Sequence, residues 1–171
     1  MEIIKEKTIA FTGNRMLTSP SVTSSTSLKK LICNELYKLL EKDYLNNGIT
    51  NFISGAAIGF DLLSAIVVLE LRRIYPEIKL IVAIPFLGQE ARYSSEDKLL
   101  YHQIISKADY QIVISQSGYS NQAYHDRNDL LIANSNKLYA YHNGKTRSGT
   151  GSTIRKATEQ GIEVVNLYDM I

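Results

Sequence analysis

The sequence predicts a single α/β domain spanning residues 1–171, with a mostly parallel six-stranded sheet and helices on both faces. Three observations lead there. Six short runs rich in β-branched and aromatic residues alternate with longer segments, the pattern of a repeating βα unit. The longer segments carry apolar residues at helical spacing. The length of 171 residues, with 44% apolar and 21% charged, suits one ordinary globular core.

The first run is Thr8-Ile9-Ala10-Phe11. A hydroxyl-rich patch over 18–27 follows and reads as a surface loop or as a flap over a site at the strand's end. Leu28, Leu31, Ile32, Leu36, Leu39 and Leu40 then recur at i, i+3, i+4, which predicts a helix over 27–46 ending near Asn46-Asn47-Gly48. The second run is Asn51-Phe52-Ile53, and its helix runs over 60–74, stopped by Pro76, because the residue before a proline is pushed out of the α region. Lys79 to Ile84 is the third run. Ser94 with Asp97 three residues on offers a cap for a helix reaching Lys107. The fourth run, Tyr110 to Ile114, leads to a helix over 122–134. The fifth, Lys137 to Tyr141, leads to one over 152–160 with Gly161 at its end. Glu163 to Leu167 closes the set. The third and fourth runs are nearly continuous in apolar residues, as strands covered on both faces are.

Several classes of function fall away on composition. Nineteen basic against seventeen acidic residues give a net charge of +2, too small for the basic stripe of a dedicated nucleic-acid binder. The one cysteine, Cys33, excludes an internal disulfide, points to a reducing cytoplasm and reads as a helix-packing thiol. Three scattered histidines offer no metal set, so no metal is expected. The N-terminus lacks the apolar core of a signal peptide, and no apolar run approaches the ~20 residues of a membrane span.

In open parallel sheets ligands bind beyond the carboxyl ends of the strands, so the residues there carry the chemistry. After the first strand stand Thr12-Gly13-Asn14-Arg15: the glycine permits a tight turn, and Arg15 can fork onto a phosphate or carboxylate. After the second stand Ser54-Gly55-Ala56-Ala57-Ile58-Gly59-Phe60-Asp61. Two glycines ahead of a helix let backbone N–H groups approach an anion, and Asp61 suits the helix start or a ribose or base contact. Pro85, Phe86, Gln89, Glu90, Arg92 and Tyr93 follow the third strand; Phe86 or Tyr93 can stack on a base and Gln89 can read its edge. The fourth helix brings Arg127 and Asn128, provided its phase turns them inward. After the fifth strand, Asn143 to Ile154 hold three glycines, two cations and the hydroxyls of Thr146, Ser148, Thr150, Ser152 and Thr153. Ser148, Gly149, Thr150, Gly151, Ser152 and Thr153 there have the makings of an anion site at a helix entrance.

These motifs resemble the YpsA-like branch of the SMF/DprA–LOG (SLOG) superfamily. Thr12-Gly13-Asn14-Arg15 looks like its TG(H)R turn, with Asn14 in place of the usual His, and Ser54 to Asp61 looks like its SGGA-x-G-x-D loop. Pro85-Phe86, Gln89, Arg92, Arg127-Asn128 and Gly149-Thr150 recur in the same order. The resemblance implies a Rossmann-like fold that holds nucleotides or nucleotide-derived ligands, with the glycine loop on phosphate. The phosphoribohydrolase branch carries PGG-x-GT-x-x-E, whereas here Thr146-Arg147-Ser148 replace the Pro-Gly-Gly and Thr153 replaces the catalytic Glu.

The function expected is binding of a nucleotide-derived small molecule, ADP-ribose-like or a cyclic nucleotide, as sensor or, in a virus-encoded protein, as sponge. No further cofactor is required. One alternative is a nucleotide-processing hydrolase using Asp61 or Glu90 as acid/base; another is a regulatory interaction protein with a vestigial pocket. The apolar stretch Leu62, Leu63 and Ile66 to Leu69 predicts a homodimer or higher homo-oligomer.

Overall fold

A computed structural model describes residues 1–145 and 148–171; Thr146 and Arg147, which the sequence places in the last loop, lie outside the described residues. The element order is β1 (Thr8–Gly13), α1 (Ser25–Asn47), β2 (Asn51–Ser54), α2 (Phe60–Ile74), β3 (Lys79–Phe86), a 3-10 turn (Gln89–Arg92), α3 (Ser95–Lys107), β4 (Tyr110–Ser115), α4 (Asn121–Ala133), β5 (Lys137–Tyr141), α5 (Gly149–Glu159) and β6 (Glu163–Asn166). All five pairings are parallel, so the sheet is wholly rather than mostly parallel. Its strand order is β4-β3-β2-β1-β5-β6.

Alternation along the strands divides the interior into two layers. Ile9, Phe11, Phe52, Leu80, Val82, Ile84, Tyr139 and Tyr141 face the larger core with α1, α2 and α3. Ala10, Ile53, Ile81, Ala83 and Leu138 face the smaller one, closed by Leu131 and Ile132 of α4 and Ala157 of α5. The sheet is therefore sandwiched between helices.

Local chemistry sets the helix ends. Ser24 Oγ accepts from Ser27 N to start α1, and Gly48 ends it at φ 67°. Ser94 Oγ accepts from Asp97 N at the start of α3, as the sequence predicts. Helix α5 begins three residues earlier than its apolar pattern suggests. Ser148 takes the cap, accepting from Gly151 N at 3.0 Å, so the glycines form the first helical turn instead of a loop before it. Strand β3 likewise runs on through Pro85 and Phe86. Its pairing with β2 stops at Val82, so Pro85 sits where that neighbour has ended and its missing N–H breaks no ladder there.

Helix α2 is apolar nearly all round because the chain itself covers it on several sides. Leu62, Val67, Val68 and Leu71 are buried, and Leu63, Ile66 and Leu69 pack half-buried against the same core as α1 and α3. Among the described residues no helix is long and apolar enough to cross a membrane.

Candidate functional site

Strand order reverses between β1 and β5: the chain builds outward from β1 through β2 and β3 to β4, then returns to add β5 and β6 on the other side. Crevices open at such switch points, beyond the carboxyl ends of the strands. A polar cavity of about 280 Å³ lies there, lined by Thr12, Gly13, Asn14 and Arg15 after β1, Ala57 and Asp61 at the start of α2, Tyr124, Arg127 and Asn128 of α4, and Ser148, Gly149 and Thr150 at the start of α5. An aromatic cavity of about 500 Å³ adjoins it, with Ile58, Phe86, Gln89, Arg92, Tyr93, Tyr119 and Tyr124 on its walls. Arg15 and Tyr124 line both, and the Arg15 guanidinium carbon stands 5.6 Å from the Tyr124 ring centre.

The loops that form these walls are pressed together. At Gly59, φ is +85° and a Cβ would stand 2.4 Å from the carbonyl oxygen of Asn14, so glycine is required on both counts. Phe60 N donates to Asn14 O at 3.3 Å, and Asn143 N donates to Asn14 Oδ1 at 3.0 Å. One asparagine, where the family resemblance has a histidine, therefore ties together the loops after β1, β2 and β5. Ala56 holds a left-handed φ of 53°; Tyr93 OH donates to its carbonyl at 3.1 Å and its N–H donates to Ser54 Oγ at 3.2 Å.

Gly55 is the hub of the site. Its carbonyl accepts from Arg127 Nη1 at 2.9 Å and from Gln89 Nε2 at 3.0 Å. A Cβ there would stand 2.2 Å from Arg127 Nη1 and 2.9 Å from Asp61 Oδ2. Arg127 is 5% exposed and its Nε donates to Asn128 Oδ1, so it is a fixed buried cation. Asp61 is 4% exposed, and its Oδ1 has no hydrogen-bond partner. Burial pushes its carboxyl up to about 6, against the opposing pull of Arg127, the Ala57 N–H and Arg15. Burial also lowers the Arg127 guanidinium and raises the Tyr93 phenol.

Of the residues singled out in the sequence, Gly13, Asn14, Arg15, Asp61, Arg127, Asn128, Ser148, Gly149 and Thr150 come together around the polar cavity. Phe86, Gln89 and Arg92 gather at the aromatic one. Ser54, Gly55, Ala56 and Gly59 shape the loop beneath, where Ser54 Oγ donates to Asp61 O at 2.8 Å. Gly151, Ser152, Thr153 and Glu90 line neither cavity. Thr153 Oγ1 donates to Gly149 O at 2.8 Å within the helix, and Glu90 lies 4.0 Å from His102. Gly149 has no positive φ and, among the described residues, no neighbour within 4 Å of an added Cβ, so the turn expected there does not demand glycine. Tyr124 and Tyr119 escape the sequence reading. Tyr124 lies three and four residues before Arg127 and Asn128 on one helix face, a spacing that points to it; Tyr119 sits in a loop, without periodicity.

Comparison with known proteins gives the lineage. The YpsA model, described as the YspA SLOG family, matches residues 19–170. A UPF0398 protein of Brevibacillus brevis is 27% identical over 150 residues, covering 84% of this chain and 77% of that one. One of Halalkalibacterium halodurans is 30% identical over 114 residues, 66% of this chain and 58% of its own length. Among solved structures, DNA processing protein A of Helicobacter pylori, described for its single-stranded DNA binding mode, superposes with a TM-score of 0.61 at 16% identity. That alignment covers 94% of this chain and 64% of the other. DNA processing protein A of Streptococcus pneumoniae gives 0.59 at 19%, covering 91% and 48%. This chain thus spans about two thirds and about half of those proteins, and what they share with it is the fold. The chain belongs to the YspA SLOG family.

Proposed function

We propose that this member of the YspA SLOG family binds a nucleotide-derived small molecule, ADP-ribose-like or a cyclic nucleotide, and releases it unchanged. The observation that carries the reading is the wall shared by the two cavities. Arg15 reaches the polar one as a cation while Tyr124 presents a ring toward the aromatic one. A phosphate beside Arg15 meets the first turn of α5, whose positive dipole end favours an anion. A base in the neighbouring space finds Phe86, Tyr93, Tyr119 and Tyr124 to stack on. The cytoplasm, where phosphorylated nucleotides are kept, is the compartment that goes with this reading, and the role is that of a sensor or a sequestering protein.

Titration calorimetry with ADP-ribose and with 3′,5′-cyclic AMP, followed by mass spectrometry of the ligand recovered after denaturation, tests the proposal. Binding of either with the ligand intact supports it. The fold neighbour that binds single-stranded DNA supplies the competing arm. Tight binding of a single-stranded oligonucleotide with a steep salt dependence, and none of either nucleotide, overturns the proposal and the charge argument against a nucleic-acid partner.

One observation favours a second reading, hydrolysis: Asp61 is a buried carboxyl held near 6, in the range of a general acid or base. It stands alone, however. The two cavities have no second carboxylate among their lining residues, and Glu90 faces His102 instead. Turnover of the bound nucleotide in the same recovery experiment decides for this reading.

A further inference from the structure

We infer that the site selects a ribonucleotide with an amino-bearing base, Asp61 Oδ1 accepting from a ribose hydroxyl and Gln89 Oε1 from the exocyclic amine. This rests on the binding reading above and narrows the ligand within it. Among the described residues, two buried side-chain polar atoms lack a hydrogen-bond partner, and they are these two. The residues that carry them line one cavity each, Asp61 the polar and Gln89 the aromatic. Both residues are at least nine-tenths buried, at 4% and 5% exposure.

Both atoms are acceptors. An ionised carboxylate only accepts. Gln89 has its Nε2 committed to the Gly55 carbonyl, and turning the amide over would set oxygen against oxygen, so the free atom is Oε1. A buried acceptor without a donor is costly, and such atoms in a native fold call for an explanation. The protein has little freedom to supply donors by moving. Gly55 fixes Arg127 and Gln89 through its carbonyl and has no room for a Cβ beside Asp61. The donors that complete the site therefore come from the ligand.

Position says which donors these are. Asp61 shares its cavity with Arg15 and the start of α5, where the phosphate sits, and the nearest donor to a nucleotide's phosphate is a ribose hydroxyl. Gln89 shares its cavity with the stacking rings, so the donor there is carried on the base. Adenine, guanine and cytosine carry an exocyclic amine; uracil and thymine do not.

The test varies the ligand first, so that it does not depend on any variant folding. Calorimetry compares ADP with 2′-deoxy-ADP, 3′-deoxy-ADP and the purine riboside diphosphate that lacks the 6-amino group. At least one deoxy analogue is expected to bind tenfold or more weakly, and the des-amino analogue several-fold more weakly, since each leaves a buried acceptor unpaired. Asp61→Ala is expected to treat ADP and the deoxy analogues within about twofold of one another. Wild-type protein that binds all four ligands within twofold, while Arg15→Ala still weakens each, overturns the inference and leaves the binding reading standing. Loss confined to the deoxy analogues overturns the Gln89 half alone. Binding of none of the four, with ADP-ribose or 3′,5′-cyclic AMP still bound, overturns this inference alone; binding of none of the six overturns both readings.

Discussion

Two aspartates at opposite ends of the sheet are equally hidden, each 4% exposed, and lead opposite lives. Asp43 of α1 lies at the amino end of the strands and is fully partnered. It accepts from the Tyr139 hydroxyl, from Lys137 Nζ at 2.8 Å and from Asn47 Nδ2 at 2.9 Å. Asp61 lies at the carboxyl end with one oxygen unpartnered. Cavity size does not tell them apart, since about 290 Å³ opens beside Asp43 and about 280 Å³ beside Asp61. Satisfaction does. A buried polar group with all its bonds made holds a fold together, whereas one left short is held ready for something else.

Removing each carboxylate breaks or sharpens that contrast. Asp43→Ala leaves the Tyr139 hydroxyl without its acceptor and Lys137 with only Glu163 at 3.8 Å in a largely buried place, and is expected to cost about 3–5 kcal/mol of stability. Urea denaturation reads the loss directly. Nucleotide affinity of the folded fraction is expected to stay as in wild type.

Asp61 is expected to act with the opposite sign. Its carboxyl is raised from 3.8 to about 6, so the folded state holds the proton more tightly than the unfolded chain. That contribution to stability is fully present below about pH 4 and is lost as pH rises through 6. The shift corresponds to at most about 3 kcal/mol at neutral pH. Asp61→Asn is expected to be more stable than wild type at pH 7.5 and to converge with it near pH 4. Arg127, Arg15 and Tyr93 face the same carboxyl, and the part of the slope that Asp61→Asn removes is the part that belongs to Asp61. A variant less stable than wild type at pH 7.5 would make Asp61 a second Asp43.

The contrast also explains what the sequence does and does not disclose. Apolar period announces the six strands and the five α-helices, because burying a face demands apolar residues at fixed spacing, and Ser94 marks the start of α3 by its cap. Arg127 and Asn128 are visible as polar residues on a helix, and the structure turns them inward with Tyr124. The start of α5 is less legible, since its first turn is glycine and hydroxyl residues with no apolar period, and only Ser148 marks it. The two unpartnered acceptors are invisible in principle. Whether Asp61 or Asp43 is satisfied depends on contacts 94 and 96 residues apart in one case and on their absence in the other.

Arg15→Ala probes the carboxyl end from its exposed side. A charge-assisted contact to phosphate is worth roughly 1.5–3 kcal/mol, so ADP-ribose affinity is expected to fall by about one to two decades. Arg15 is exposed and lies over the Tyr124 ring, so unfolding free energies are expected to stay within about 0.5 kcal/mol of wild type. Affinity unchanged in this variant would take the phosphate out of the polar cavity.

The smallest effect, at Gly149, stands out against a second glycine that looks like it in sequence. Gly55 and Gly149 both open phosphate-loop-like stretches, yet only the first is confined. An added Cβ at Gly55 would collide with Arg127 Nη1 and crowd Asp61 Oδ2, displacing the fixed cation and the unpartnered acceptor together. Gly55→Ala is therefore expected to lower nucleotide affinity by tenfold or more. At Gly149 an added Cβ meets no other atom among the described residues, and the backbone there already has the helical form that alanine favours. Gly149→Ala is expected to change stability by at most about 0.5 kcal/mol, toward gain, because alanine loses less backbone freedom on folding. Its affinity is expected to stay within about threefold of wild type, since a single methyl group leaves the N–H groups of the first turn in place. Calorimetry on the two alanine variants side by side checks this. Equal losses would mean that the α5 entrance is as tightly fitted around the ligand as the Gly55 hub is around Arg127.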